Sequence, residues 1–283
     1  MFGRETKSHL ETGVALAAPA LIVLLVFFVL PTLLLFSRSV LEPQPGLQNY
    51  VELLTSGTYR RVLVNTFKVS TVVTIVTLIL GFPIAWALAI MPRIWSSAVL
   101  GIILLSMWTN LLTRTFAWLV LLQTTGVINR GLMALGVISE PLPLVNNLIG
   151  VTIGMTYIML PFVILPIYAT VSALDASVFR AAALCGANRW QCFIHVLLPA
   201  SLPGIAAGGL MVFVMSLGYF VTPALLGGAN NMMLAELIAG LIQSLLNWGL
   251  GSAAAFILMV LTLALFALQL RFADPFGNSR SSR

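Results

Sequence analysis

The side chains best suited to metal or thiol chemistry are Cys185, Cys192 and His195, which share one short segment of the sequence. Thiolate and imidazole groups are the usual ligands of structural zinc, but three ligands at this spacing match no zinc pattern. We place the segment in the cytoplasm, where thiols stay reduced, and expect both cysteines to pack as small apolar side chains. The sequence therefore predicts neither a metal site nor a disulfide.

Motifs of the common enzyme classes are also missing from the sequence. It contains no P-loop, no GxSxG and no HExxH, and it has only two histidines. General acid–base catalysis within a membrane would need ionisable side chains that converge there, whereas the 8 acids lie mainly in loops and tails. We therefore expect that this chain is not an enzyme.

The composition shows which kind of protein must position these residues. Of 283 residues, 60% are hydrophobic and 8% are charged, and the mean hydropathy is +1.06. Soluble domains carry roughly a quarter charged residues, so a soluble globule of this size is excluded. A transmembrane β-barrel is excluded as well, because its strands alternate in polarity and these apolar runs are continuous. The prediction is an all-α integral membrane protein.

Six apolar runs are long enough to cross a bilayer, which takes about 20 residues. They are Thr12 to Ser37, Val69 to Pro92, Ile94 to just past Arg114, Pro141 to Leu174, roughly Gly204 to Leu225, and Leu237 to Leu270. We accordingly divide the chain into a cytoplasmic N-terminal segment (1–12), a transmembrane domain (13–270) and a cytoplasmic tail (271–283). A small excess of Lys and Arg on the terminal side favours cytoplasmic termini.

A polar island at 174–203 interrupts the apolar runs. Asp175 is a suitable N-cap for a helix, and Gly186 can end that helix in the left-handed conformation. Asn188 can then cap a second short helix, which we expect to end at Pro199. The sequence predicts a helix-turn-helix at the cytoplasmic face.

The island resembles the EAA loop of the permease subunits of binding-protein-dependent ABC importers. Ala181, Ala182, Gly186, Leu198 and Pro199 match the family pattern at its spacing, and Ala187, Trp190 and Phe193 are also in place. Arg180 departs from the pattern, because the family usually has Glu at that position facing the ATPase subunit. The resemblance implies a type I importer permease fold whose island is the coupling helix that contacts the ATPase.

The rest of the chain, from about Gly13 to Leu270, is similar to the polyamine-type branch of that family. The similarity includes Trp108, Thr109, Asn110 and Arg114, then Gly126 to Asn129, Leu226 to Ala229, and Trp248 with Gly249, Gly251 and Ser252. This branch implies import of a small polar solute, with a polyamine of the spermidine or putrescine type favoured. Opines, aminophosphonates, thiamine and ferric iron are alternative substrates within the branch.

The resemblance also implies the surroundings of the chain, a multi-pass protein in the bilayer of a bacterial inner membrane. Its partners would be two ABC ATPase subunits, a second and non-identical permease, and an extracytoplasmic solute-binding protein, with no nucleic acid. ATP and Mg²⁺ would belong to the ATPase, and this chain would bind no cofactor of its own. An ion-coupled secondary transporter and a membrane scaffold are the other classes weighed, but inverted repeats and midplane carboxylates are not recognisable in the sequence.

Candidates for the substrate pathway or its gate are polar or aromatic residues near apolar spans: Trp108, Asn110, Arg114, Tyr157, Tyr219 and Glu236. An ion at membrane depth is costly and marks a functional site by default, although Arg114 can also reach the outer interface with its long side chain. The aromatic residues can contact a cationic substrate or simply pack against neighbouring helices. Glu236 can favour cations or lie in a solvated loop.

Overall fold

The protein is described by a computed structural model that covers residues 17–273. Every regular element in that range is helical, which confirms the predicted fold class. Segment 1–12 and the last ten residues of the predicted tail lie outside the described range. The helices are α1 (Leu30–Leu41), α2 (Gln48–Thr55), α3 (Gly57–Ile90), α4 (Arg93–Trp108), α5 (Leu111–Leu122), α6 (Val127–Ala134), α7 (Leu148–Ser172), α8 (Ala176–Leu184), α9 (Arg189–Cys192), α10 (Leu198–Leu217), α11 (Val221–Leu226), α12 (Leu234–Ala239) and α13 (Trp248–Ala273).

Six helical segments of the described chain are long and apolar enough to cross a membrane, in agreement with the number predicted. They are Ala17–Leu41, Gly57–Ile90, Leu111–Ala134, Leu148–Ser172, Arg189–Leu217 and Trp248–Ala267. The second begins twelve residues before the predicted Val69, and α10 stops at Leu217 rather than at Leu225.

The predicted third span, from Ile94 to just past Arg114, is wrong. Helix α4 ends at Trp108, and a new helix begins two residues later. The break arises because the side-chain oxygen of Asn110 accepts hydrogen bonds from two amides in the first turn of α5, at 2.8 and 3.4 Å. The spanning segment is therefore Leu111–Ala134, and α4 is a shorter apolar helix.

The described chain forms two compact units, the smaller of which comprises 17–56 and 238–257. Its polar centre is Asn49, whose amide donates to the carbonyl oxygens of Ser39 at 2.9 Å and Glu42 at 2.6 Å. The Tyr50 hydroxyl lies 2.7 Å from the Ser39 hydroxyl. The ring of Tyr50 also packs edge-on against Phe256, 6.1 Å away. These contacts join α1, α2 and the start of α13 within this unit.

The larger unit comprises 57–237 and 258–273 and is built around α3, α7 and α10. The three helices bury a shared apolar core that includes Val73, Val163, Ile167 and Val212. Close approach depends on glycine: a Cβ at Gly208 of α10 would lie 3.1 Å from the Val163 Cα. Small residues let transmembrane helices touch through their backbones, so α7 and α10 form a rigid pair.

Candidate functional site

The first helix of the island at 174–203, which we call the coupling segment, begins as predicted. The Ser177 amide donates a hydrogen bond of 2.8 Å to Asp175 Oδ1, so Asp175 is the N-cap of α8. Hydrogen bonds from the backbone amide and then the hydroxyl of Ser177 lower the pKa of the exposed Asp175 carboxyl. The cap is therefore charged at neutral pH.

Gly186 ends this helix, also as predicted. Its φ is +84°, in the left-handed region that favours glycine. The Gly186 amide donates to the Ala183 carbonyl, and the Ala187 amide donates to the Ala182 carbonyl, at 3.0 and 3.1 Å. This pair of bonds is a Schellman motif, which satisfies the last carbonyls of the helix and turns the chain sharply.

Asn188 caps the second helix, but the predicted end at Pro199 is wrong. From Arg189 the chain stays helical through a π-helical turn at Phe193–Leu197 and continues into α10. Proline has no amide to donate, and it is tolerated here because it lies in the first turn of α10. As a result, the coupling segment joins the fifth span without a break in the helix.

Aromatic packing holds the coupling segment against the transmembrane core. The ring of Phe193 stacks on Trp190, with centroids 5.4 Å apart and an angle of 11° between the planes. On its other side Phe193 contacts two residues of α3, Phe82 at 6.0 Å and Trp86 at 5.7 Å. A force applied at Trp190 is therefore transmitted to the second span as well as to the fifth.

The outer surface of the coupling segment is both apolar and basic. Leu184 is 89% exposed and Trp190 is 68% exposed, and Arg180 and Arg189 are exposed beside them. Large apolar side chains in such positions mark a protein contact surface. Of the other predicted coupling residues, Ala181 and Pro199 are exposed and Leu198 is partly buried, whereas Ala182, Gly186 and Ala187 line a shallow cavity of about 400 Å³.

Both cysteines of the coupling segment are free thiols, as expected. Cys192 is partly buried, and its Sγ lies 3.9 Å from the Ala187 carbonyl oxygen. Cys185 is exposed, so the prediction that both thiols pack is wrong for that residue. His195 uses its Nδ1 in a 3.1 Å contact with the carbonyl of Gln191, one turn earlier.

A second candidate site is a cavity of about 180 Å³ among α4, α5, α7 and α10. The residues that line it are Met107, Leu111, Arg114, Ile158, Met159, Phe162, Met215 and Tyr219. Of the residues predicted for the pathway, the structure brings together Arg114 and Tyr219. The Nε atom of Arg114 is buried and has no hydrogen-bond partner within the described chain.

The other predicted pathway residues lie elsewhere on the chain. Trp108 is 90% exposed. Asn110 is committed to the cap of α5, and the Tyr157 ring packs edge-on against Trp118 at 5.6 Å. Glu236 does not lie in a solvated loop: it is half-buried in α12, and its Oε2 is buried without a hydrogen-bond partner within the described residues.

Sequence reasoning missed most of the cavity lining, notably Met107, Met159 and Met215. These residues belong to helices that are apolar on every side, so no periodicity shows which face is turned inward. It also missed the hydroxyl contact of 3.3 Å between Thr115 of α5 and Thr222 of α11. Threonine at helical positions carries no sequence signal for a particular partner.

A basic cleft of about 690 Å³ lies at the start of α3. Arg60, Arg61 and Asn65 line it from α3, together with the loop that contains Asn230. The Asn65 amide donates to the Asn230 carbonyl at 2.8 Å and so holds the loop against the helix. With the charge-based orientation, this cleft faces the outside of the cell, opposite the coupling segment.

Comparison with known families identifies one that covers most of the chain. The model of the family described as "Binding-protein-dependent transport system inner membrane component" matches residues 81–274. The match includes both candidate sites, that is, the coupling segment and the cavity at Arg114.

Two curated relatives and one solved structure are similar over nearly the whole chain. The spermidine/putrescine transport system permease protein PotB of Haemophilus influenzae is 35% identical over 246 residues, 84% of this chain and 86% of that protein. PotB of Escherichia coli is 33% identical over 245 residues, 84% and 89% of the two chains. A chain in the crystal structure of a bacterial alginate ABC transporter, complexed with a pentasaccharide-bound periplasmic protein, superposes with a TM-score of 0.77. It is 18% identical and 96% of each chain is covered, so this likeness concerns the fold.

Proposed function

The chain belongs to the family of binding-protein-dependent transport system inner membrane components, and we propose that its substrate is a polyamine of the spermidine or putrescine type. It is a transport subunit of the inner membrane with several spans. The observation that supports the substrate is the identity of 33 to 35% to two spermidine/putrescine permeases over 84% of the chain. Opines, aminophosphonates, thiamine and ferric iron have no comparable support.

We infer that an ABC ATPase, present in two copies and carrying ATP and Mg²⁺, docks on the coupling segment. The exposed Leu184 and Trp190 supply the apolar part of such a contact. Between Asp175 and Glu236 the sequence contains no acid, so the exposed Arg180 and Arg189 make this surface purely basic. A groove that accepts it would present acidic residues.

We infer that a second, non-identical permease covers part of the larger unit. Helix α4 presents Trp95, Ile102, Leu105 and Trp108 as exposed side chains. Such a face suits either lipid or another transmembrane subunit. On the opposite side of the membrane, we propose that the basic cleft at Arg60 and Arg61 receives the solute-binding protein, while the termini lie in the cytoplasm.

Reconstitution tests this function directly. The tagged chain is purified from native membranes in mild detergent, co-purifying subunits are identified by mass spectrometry, and the complex is placed in proteoliposomes. We expect labelled spermidine or putrescine to enter only with Mg-ATP and the binding protein present. Uptake driven by a proton or sodium gradient without ATP would contradict the proposal, and ATP-driven uptake of another solute would contradict the substrate alone.

A further inference from the structure

The guanidinium of Arg114 lies deep in the transmembrane part of the protein. It shares its cavity with Ile158 and Phe162, which occupy the middle of the 25-residue helix Leu148–Ser172. A helix of that length extends about 37 Å, slightly more than the thickness of a hydrocarbon core. Arg114 is therefore far from both membrane surfaces, and its side chain is too short to reach water along this helix.

The described chain provides no counter-charge for this cation. The cavity lining consists of Arg114, Tyr219 and six apolar residues, without a carboxylate among them. Within residues 17–273 the ion pair that forms is Arg38 with Glu42, at 3.7 Å in the smaller unit. An uncompensated charge inside a membrane is costly, and such residues pair with an opposite charge or with carbonyl groups. The partner of Arg114 must come from outside the described chain.

The substrate cannot be that partner, an argument that rests on the proposed function. Spermidine and putrescine are cations and are repelled by a guanidinium. Anionic lipid headgroups lie at the membrane surface rather than at the depth of the α7 midpoint. The remaining source of a negative charge at this depth is another transmembrane chain.

We propose that the second permease subunit places a carboxylate side chain in the cavity beside Arg114, where the two form an ion pair. The surroundings suit such a contact, because Trp108, Leu112 and Phe116 near the cavity are exposed apolar side chains that a second chain can cover. Burial of the pair between two subunits excludes water and strengthens it. While the pair is closed, both charges are masked and the pathway has no free carboxylate for a cation.

Cross-linking in the purified complex tests this contact without substrate or ATP. In the Arg114→Lys variant, a hydrophobic carbodiimide such as dicyclohexylcarbodiimide activates the carboxylate, and the lysine amine displaces the urea to form an amide. We expect a covalent product of this chain with the second permease. Mass spectrometry should join position 114 to an Asp or Glu of that subunit.

Thr113→Lys is the matched control, because Thr113 is exposed and does not line the cavity. It should give about tenfold less product, since neighbouring residues on a helix point about 100° apart. In Arg114→Gln the freed carboxylate should instead become a stable N-acylurea, seen as added mass on the second permease, whereas the wild-type protein should be protected.

The proposal is overturned if either variant co-purifies with the second permease but shows neither product. A link from position 114 to lipid or to another part of this chain would overturn it as well. These results are independent of the substrate, because an importer of another solute would still give the cross-link. Conversely, polyamine uptake without the cross-link would reject the ion pair alone.

Discussion

Asn188 and Gln191 cap the second helix of the coupling segment by two reciprocal hydrogen bonds, each 2.8 Å long. The Gln191 amide donates to Asn188 Oδ1, and the Asn188 amide donates to Gln191 Oε1. This capping box fixes the residue at which the helix begins. Because the chain then remains helical as far as Leu217, the cap is the cytoplasmic end of a continuous rod. Movement of the ATPase can therefore tilt the fifth span directly.

Replacing Gly186 by valine should uncouple ATP hydrolysis from uptake. A Cβ at this position would meet nothing within 4 Å, so the effect comes from the φ of +84° rather than from a clash. A β-branched residue in the left-handed region costs roughly 1 to 2 kcal/mol, enough to reshape the turn between α8 and α9. ATPase activity and uptake are measured in proteoliposomes.

Gly186→Asn is the control for that variant, because asparagine tolerates the left-handed conformation. We expect it to transport at close to the wild-type rate, and both variants to reach the membrane in equal amounts. Normal uptake by Gly186→Val would contradict the role assigned to this turn.

Reversing the charge at Arg180 should weaken binding of the ATPase. The expected loss for Arg180→Glu is about fivefold in affinity at low salt, the size of an exposed ion pair, and it should shrink as salt is added. Arg180→Lys should bind as the wild type does. Binding is measured between the detergent-solubilised permease and the purified ATPase. Tighter binding of Arg180→Glu would show that the groove is basic rather than acidic.

Adding one methyl group at Gly204 should destabilise the helix core. Its Cβ would lie 2.9 Å from the Pro166 carbonyl oxygen and 3.0 Å from the Ile167 Cα, and backbone atoms cannot move aside as a flexible side chain can. We expect Gly204→Ala to cost about 1 to 3 kcal/mol, the usual range for overpacking. A lower melting temperature in detergent would report it.

Gly131→Ala is the matched control for that substitution. A Cβ at Gly131 in α6 would have open space around it, and alanine is the better helix former. Its melting temperature should be unchanged or slightly higher. Equal stability of Gly204→Ala and wild type would contradict the close approach of α7 and α10.

The cap at Asp175 predicts a pH dependence of helix α8. Because the pKa of this carboxyl is lowered by the Ser177 hydrogen bonds, its stabilisation is complete above the unfolded value of about 3.9 and disappears as the pH falls through the folded value. Amide exchange in α8 should therefore be constant from neutral to mildly acidic pH after correction for the intrinsic rate. It should rise several-fold at lower pH.

Asp175→Asn separates this effect from general acid unfolding. Asparagine also caps helices but does not titrate in this range, so its α8 should show no additional opening at low pH. If the wild type and Asp175→Asn open alike, the pH dependence does not come from the cap.

Local features were predictable from the sequence because each depends on a few neighbouring residues. Asp175, Gly186 and Asn188 act through the backbone within three residues of their own position, and all three occupy their predicted roles. Long uncharged runs likewise predicted the number of spans, since lipid demands about 20 apolar residues whatever the packing.

Errors arose where the outcome depended on distant contacts or on competing signals. Pro199 is tolerated because it falls in the first turn of α10, after a π-helical turn that sequence reasoning did not anticipate. The cap at Asn110 was recognisable in principle, but an apolar run on both sides concealed it. The pairing of Arg114 with Tyr219 in one cavity required knowledge of three helix orientations, which a uniformly apolar sequence does not contain.

Phe193→Ala should separate the coupling segment from the second span while leaving the helix itself formed. The ring contacts Trp190 within the segment and Phe82 and Trp86 on α3. Aromatic pairs contribute about 0.5 to 1.5 kcal/mol each beyond the area they bury, so their joint loss should free the segment to move independently. We expect ATP hydrolysis to continue with uptake strongly reduced. Phe193→Tyr keeps the ring and should retain uptake, so equal loss in both variants would indicate that size rather than stacking matters at this position.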